Sequence, residues 1–230
     1  MTVQESTARA KALMSGYKYL YGAKGELYTK AAVEKLAKQY KSKYTAALKA
    51  EALKDADKGY KAGDCSFFVC YVLGLSMINS TAIKNLAVEL IKPNKAKAQE
   101  GMALWKNGHV AYIGDGLKVY EFKSTKEDAV VSTWEKRAGD FTYMFVVKGS
   151  PLHQQLLSQA IATTSIYYPK YTGKSSSIVD ALAAVGEKDT SFAHRKRISA
   201  ANGQTGYEGS IKQNNELVKL IKAGKLKKSI

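Results

Sequence analysis

From Phe67 to Leu73 every residue is apolar or aromatic, and the run closes on Gly74. The stretch GDCSFFVCYVLG, residues 63 to 74, is too short to cross a bilayer, which takes about 20 apolar residues. It has no polar side to turn toward water, so a helix starting at or just after Cys65 has to be buried almost all round, with the remaining chain wrapped over it. The geometry would hold Cys65 rigidly at the helix's open end. Cys70, five residues on, faces another side and reads as core filling.

At 230 residues the chain suits one medium domain or two small ones and can bury a real core. The opening MTVQESTARAKALMSG lacks the charged, apolar, then small-residue order of a secretory signal. The expectation is therefore synthesis in the cytoplasm and, if the protein works outside, release by another route. Two cysteines make no disulfide framework, and no Cys/His spacing calls for zinc, so neither metal nor cofactor is expected. A net charge of +16 favours polyanions, whether nucleic acid, anionic lipid or the polymers of a bacterial wall, and chooses none of them by itself. The lysines are scattered, and no zinc-finger or aromatic RNA-binding signature accompanies them, which argues against nucleic acid. Stable membrane insertion is not expected either.

Residues 5 to 60 read as helical, with Val33, Leu36, Tyr40 and Tyr44 three to four apart and an early interruption at YGAKGE. A further helical segment near Ala82 to Ile91 would end at Pro93. From Gly101 the period changes. GMALWKNGHVAYIGDGLKVYEF reads as two strands about Gly114-Asp115-Gly116, and FTYMFVV at 141 to 147 as a third, after a charged connection. Helices followed by antiparallel strands indicate an α+β fold. The predicted domains are 1–150, a linker or tail over 151–168, and a mainly helical unit over 169–230. Within that last unit, helices are expected near Ser177–Val185, Ser191–Ala201 and Ile211–Ala223. Residues 151–230 carry 12 Lys/Arg against 5 Asp/Glu, a denser positive charge than the first 150.

A thiol attacks as its thiolate, which a helix N-terminus and a nearby imidazole both favour. The chain has three histidines. His153 and His194 read as solvated surface residues, whereas His109 opens a strand after a tight turn and is placed to act as base. A Cys–His pair usually needs a third polar group to orient the ring. Glu121, an acid inside the apolar strand VYEF, fits that part. A buried structural cysteine and an outward-facing strand glutamate are the alternatives for Cys65 and Glu121.

Taken together, DCSFFV, GMALWKNGHVAYIGDG and VYEF resemble the NlpC-type papain-like cysteine peptidases of bacterial cell-wall turnover, closest to wall-lytic enzymes of phages of Gram-positive hosts. YKYLYGAKGE is similar to the family's Y-x-W-G-G element, and the likeness covers about residues 10 to 148. The resemblance implies a papain-like catalytic domain with Cys65 as nucleophile, His109 as general base and later acid, and Glu121 orienting the ring. It further implies that Asp64 and Ser66 meet the backbone or free amine of the stem peptide, and that Tyr19, with Tyr21 nearby, lines the cleft. The amide of Cys65 would be an oxyanion donor. Three departures stand out. Phe67 replaces the usual glycine after D-C-S. HVAYIG is one residue shorter than usual and its turn one longer, which puts the strand parity of Glu121 at issue. Tyr21 and Ala23 replace the usual Trp and second Gly.

The segment from SIVDAL through RKRISAANG to QNNELVKLIKAGKL is similar to a small wall-binding module at the end of some clostridial-type phage lysins. That likeness implies a C-terminal unit gripping anionic wall polymer, for which Tyr168, Tyr171, Arg195 and Tyr207 are candidate contacts; a plain helical extension is the alternative. The function expected is a thiol-dependent peptidoglycan endopeptidase of endolysin type. The alternatives are an N-acetylmuramoyl-L-alanine amidase using the same site and a non-catalytic wall-binding protein.

Overall fold

The structure, a computed structural model, describes residues 1–164 and 166–229, without the side chains of 162–164. Its contacts divide the chain into two compact units, 1–157 and 158–230. The first is mixed α+β with an antiparallel sheet, as the sequence predicts.

Unit 1 opens with α1 (Val3–Leu13), whose Thr2 and Glu5 form a reciprocal capping box. Where a helical region was expected, the chain instead forms short strands between helices: β1 (Tyr17–Tyr19), β2 (Lys24–Leu27), α2 (Lys30–Gln39), α3 (Ala46–Asp55) and β3 (Lys61–Gly63). β3 lies between the other two strands, parallel to β1 and antiparallel to β2. α4 (Cys65–Leu73) follows at once. Its N-cap is Asp64, which accepts from the Phe67 amide at 2.7 Å, and it stops at Gly74 in the left-handed region, φ 68°.

All of α4 except Tyr71 is buried. Phe68 stacks on Phe122 with ring centroids 4.9 Å apart, and Val69, Val72 and Leu73 join the same core as Val110, Tyr112 and Tyr120. Each such side chain contributes roughly 1.5–3 kcal/mol by leaving water. Phe67 turns away from solvent beneath the small sheet, stacked on Tyr17 at 5.7 Å. It fits because a Cβ on Gly63 would come within 2.4 Å of its ring, and one on Gly25, at φ +103°, within 2.8 Å.

α5 (Ser80–Asn85) ends well before Pro93; beyond it, Ala87 and Ile91 bridge to Val147 and Met144. The main sheet has five antiparallel strands in the order β7-β6-β5-β4-β8: β4 (Ala103–Lys106), β5 (His109–Ile113), β6 (Val119–Ser124), β7 (Asp128–Ser132) and β8 (Tyr143–Phe145). The segment read as two strands is thus three, because Asn107-Gly108 makes a tight turn that pairs Lys106 with His109. The charged connection holds β7 and then the short helix α6 (Trp134–Arg137). α7 (Pro151–Thr164) occupies most of the expected linker, beginning in unit 1 and ending in unit 2.

Unit 2 contains α8 (Ile178–Ala184), α9 (Phe192–Ala201) and α10 (Ile211–Lys222), each capped by a serine: Ser177, Ser191 and Ser210. Leu182, Ile198, Leu217 and Ile221 form its core together with Tyr168, Tyr171 and Tyr207. Those three tyrosines are therefore packing residues and not open contact residues. Arg195 donates to the Tyr207 hydroxyl and to the Thr190 carbonyl, so it too is held within the unit. His194 is buried and not solvated as expected, lying 3.2 Å from the Tyr168 hydroxyl and 3.3 Å from Glu187.

The fit of Phe67 against Gly63 predicts that Gly63→Ala destabilises the protein by about 1–3 kcal/mol in urea unfolding, as overpacking does. Combined with Phe67→Leu, the loss should be clearly smaller than the sum of the two single changes.

Candidate active site

Cys65 is the first residue of α4, at the point where the helix leaves the small sheet. Its sulfur is met by the backbone N–H of Val110, the residue after His109, and by that of Ser66. These donors and the nearby Lys24 favour a thiolate, but burial opposes it more strongly and the Asp64 carboxylate adds to the opposition. The thiol is pushed up to about 12. The helix start therefore positions the sulfur without ionising it.

The ladder pairs Tyr112 with Tyr120, so one step along it Ala111 stands opposite Glu121. His109, two residues earlier on β5, shares that face, which settles the parity question left by the short strand and long turn. The His109 Nε2 and Glu121 Oε2 atoms are 2.6 Å apart. This face is turned away from α4, whose core neighbours on β5 are Val110 and Tyr112. The sulfur thus meets β5 at the backbone of its opening residues, where the two faces join.

Glu121 is completely buried and has a second partner that sequence reasoning missed. Arg137, at the end of α6, forks onto it, with Nε donating to Oε1 at 2.5 Å and a terminal nitrogen to Oε2 at 2.7 Å. Burial alone would raise the carboxyl. The hydrogen bonds and charges of His109 and Arg137 overcome that and hold it near 2. Phe141 backs the assembly, stacked against the His109 ring at 5.8 Å and lying 5.0 Å from the Arg137 guanidinium. Arg137 also pairs with Asp140. With Nε2 committed to Glu121, Nδ1 is the ring nitrogen left for proton exchange.

A groove of about 480 Å³ opens beside the cysteine, lined by Tyr21, Lys24, Tyr40, Cys65, Asn79 and Gly108 among others. Asp64 and Ser66 also reach it, but Asp64 is already engaged: it accepts from the Phe67 amide, from the Ser66 hydroxyl at 2.7 Å and from the Lys24 ammonium at 2.8 and 3.0 Å. Lys24, not anticipated, is the cation at this end. Tyr19 is not among the groove residues; its phenol is raised above its usual range by burial and then by the neighbouring Cys65 and Asp64. Tyr21 lines the groove in its place. Cys70 is core filling, as expected, its thiol pointing to the Ile78 carbonyl.

Two signals for the missed residues lie in the sequence. Arginine is scarce beside lysine here, and one of the few stands at 137, where a planar fork suits a carboxylate. Lys24 sits between Ala23 and Gly25 in the very element that borders the cysteine.

Neither the protein families, nor the curated proteins, nor the solved structures with which the chain was compared contain a match to it. Among the described residues no helix is long and apolar enough to cross a membrane, and no cluster of side chains is arranged to hold a metal ion.

Two predictions follow from the electrostatics. Glu121 is depressed on folding, so its stabilisation is complete above its unfolded value, near 4.5, and is lost as pH falls toward 2. Arg137→Ala leaves the carboxylate short of a buried partner; it should cost about 3–5 kcal/mol at pH 7 in urea unfolding, and less below pH 3, where Glu121 begins to protonate. In the free protein at pH 7, Cys65 rests as the thiol. Iodoacetamide labelling of Cys65, followed by mass spectrometry, should accelerate about tenfold per pH unit from 7 to 10. A plateau near neutrality would instead reveal a preformed thiolate–imidazolium pair.

Proposed function

We propose that unit 1 is a cysteine-dependent peptidoglycan hydrolase of papain-like type that cuts the stem peptide, and that unit 2 holds it on the wall. The observation that carries this reading is that the Cys65 sulfur lies against the backbone amide of Val110, next in the chain to His109, whose ring is locked by a buried Glu121 that Arg137 in turn clamps. A plain structural cysteine needs none of that. Burying a charged Glu–Arg pair to hold one imidazole costs desolvation energy and is weak as a stability device, whereas fixing a ring's orientation and tautomer is what nucleophilic catalysis requires.

On this reading Cys65 Sγ attacks the carbonyl carbon of the scissile amide while its proton passes to His109 Nδ1. The amide of Cys65 at the start of α4 steadies the oxyanion. Collapse expels the amine, which takes the proton back from Nδ1, and leaves a thioester. Water, deprotonated by the same nitrogen, then releases the acid and restores the thiol. The raised thiol pKa makes this a general-base route, in which the proton leaves sulfur only as the new bond forms. Glu121 stays ionised throughout and stabilises the transient imidazolium.

The strong positive charge suits an anionic wall, and tethering by unit 2 would raise the local concentration of the hydrolase. Synthesis in the host cytoplasm, followed by release onto the wall, belongs to the same proposal. One observation favours a second reading, a non-catalytic wall-binding protein: the neutral, nine-tenths-buried thiol is also what an inert cysteine looks like.

Digestion of purified Gram-positive walls separates the two. The wild type should release new amino termini identifiable by mass spectrometry; Cys65→Ala should reduce release to background and His109→Ala by about 10²–10⁴-fold. Equal release from wild type and Cys65→Ala would sink the hydrolase reading. Stem peptides liberated with a free N-terminal alanine would assign the amidase bond instead.

A further inference from the structure

The Lys24 ammonium lies 2.8 and 3.0 Å from the two oxygens of Asp64 and 2.9 Å from the Ser66 hydroxyl, which itself donates to Asp64 at 2.7 Å. These three side chains form a closed triangle at the edge of the groove, next to the nucleophile candidate. Their exposures differ in a consequential way: the Asp64 side chain is 10 % exposed and that of Lys24 is 40 % exposed. The carboxylate is thus the buried end of the pair and the ammonium the wet end, so what faces the groove here is cationic.

Asp64 has little left to offer a ligand. One oxygen takes the Phe67 amide, the Ser66 hydroxyl and Lys24; the other takes Lys24. An incoming amine would have to displace the lysine and meet its charge on the way. Among the described residues lining the groove, Lys24 and Asp64 are the charged ones; Tyr21, Tyr40, Asn79, Ser80 and Thr81 are neutral. Glu26, on the same strand as Lys24, is exposed and accepts from the Lys24 amide at 2.5 Å.

We propose that Lys24 is a specificity residue, and that this end of the groove takes a substrate residue bearing a free carboxylate beside the scissile bond and disfavours one bearing a free amine. This rests on unit 1 acting as a peptide hydrolase, and it departs from the expectation that Asp64 and Ser66 receive an amine. The three N–H donors of Lys24 already face Asp64 Oδ1, Asp64 Oδ2 and Ser66 Oγ, so an approaching carboxylate takes a share of one of them, gaining a charge-assisted hydrogen bond in a partly desolvated site while the Ser66–Asp64 bond is kept. Because Lys24 is part-exposed, the preference should weaken as salt is raised.

The test uses the full chain and two pairs of synthetic stem-type peptides. In one pair a carboxylate next to the cut bond is replaced by carboxamide; in the other a neighbouring amine is free or acetylated. We expect the wild type to favour carboxylate over carboxamide, and acetylated over free amine, by about 5–20-fold in kcat/KM. Lys24→Met should abolish the first preference and, by freeing Asp64, reverse the second. Unchanged preferences in a Lys24→Met protein that still cuts peptides would overturn the specificity proposal while leaving the hydrolase reading intact. Calorimetric binding of the same peptides to Cys65→Ala separates the other case. Carboxylate-selective binding lost in Lys24→Met/Cys65→Ala, without turnover by the wild type, would keep the site and remove the hydrolase. Neither turnover nor selective binding would remove both.

Discussion

Burial of α4 is the constraint on which the first unit depends. A helix that is apolar on nearly every side has no stable place except the middle of a domain. α1, the small sheet and the α4-facing side of the main sheet each cover part of it. That burial also locates the chemistry. A helix sunk in a core has its ends fixed to within the tolerance of close packing, so the residue at its start cannot wander. Asp64 makes the position firmer by capping the helix. With Lys24 and Ser66 it also ties the helix start to β2, so that one carboxylate serves both fold and groove.

On the far face of the main sheet the governing term is electrostatic. Glu121 is fully buried and ionised, which is tolerable only because an arginine fork and an imidazole take up its lone pairs. The same environment that penalises an unpaired charge makes this arrangement rigid, and His109 inherits the rigidity. Cys65 shows the opposite balance. There the desolvation of a sulfur anion outweighs the amides around it, and the resting group is a thiol. The two halves of the candidate site therefore divide the work: one is held permanently charged and the other is left neutral until a proton acceptor is needed.

Much of this was legible beforehand because it rests on local signals. The buried helix from Cys65 to Leu73, the strands that begin at His109 and include Glu121, and three helices after residue 175 all follow from periodicity and end residues. What escaped were elements too short or too exposed to carry a period. β1 and β3 have three residues each and exist because β1, β2 and β3 pair with one another. β7 is an edge strand among charged residues, half-covered on its inner side. Tyr168, Tyr171 and Tyr207 looked like contact residues because tyrosines often are, yet a unit this small needs their area for its core.

By itself, the sequence determined that an apolar helix would be buried with a cysteine at its mouth, that helices would be joined to an antiparallel sheet, and that the whole would be strongly basic. These properties depend on residue type and spacing along the chain. Only the tertiary structure decided that Glu121 and His109 share a face, that Arg137 completes the clamp from 16 positions away, and that Lys24 stands in front of Asp64. Those contacts join residues separated by turns and strand crossings, and their energies come from desolvation, which has no value until the surrounding chain has excluded the water.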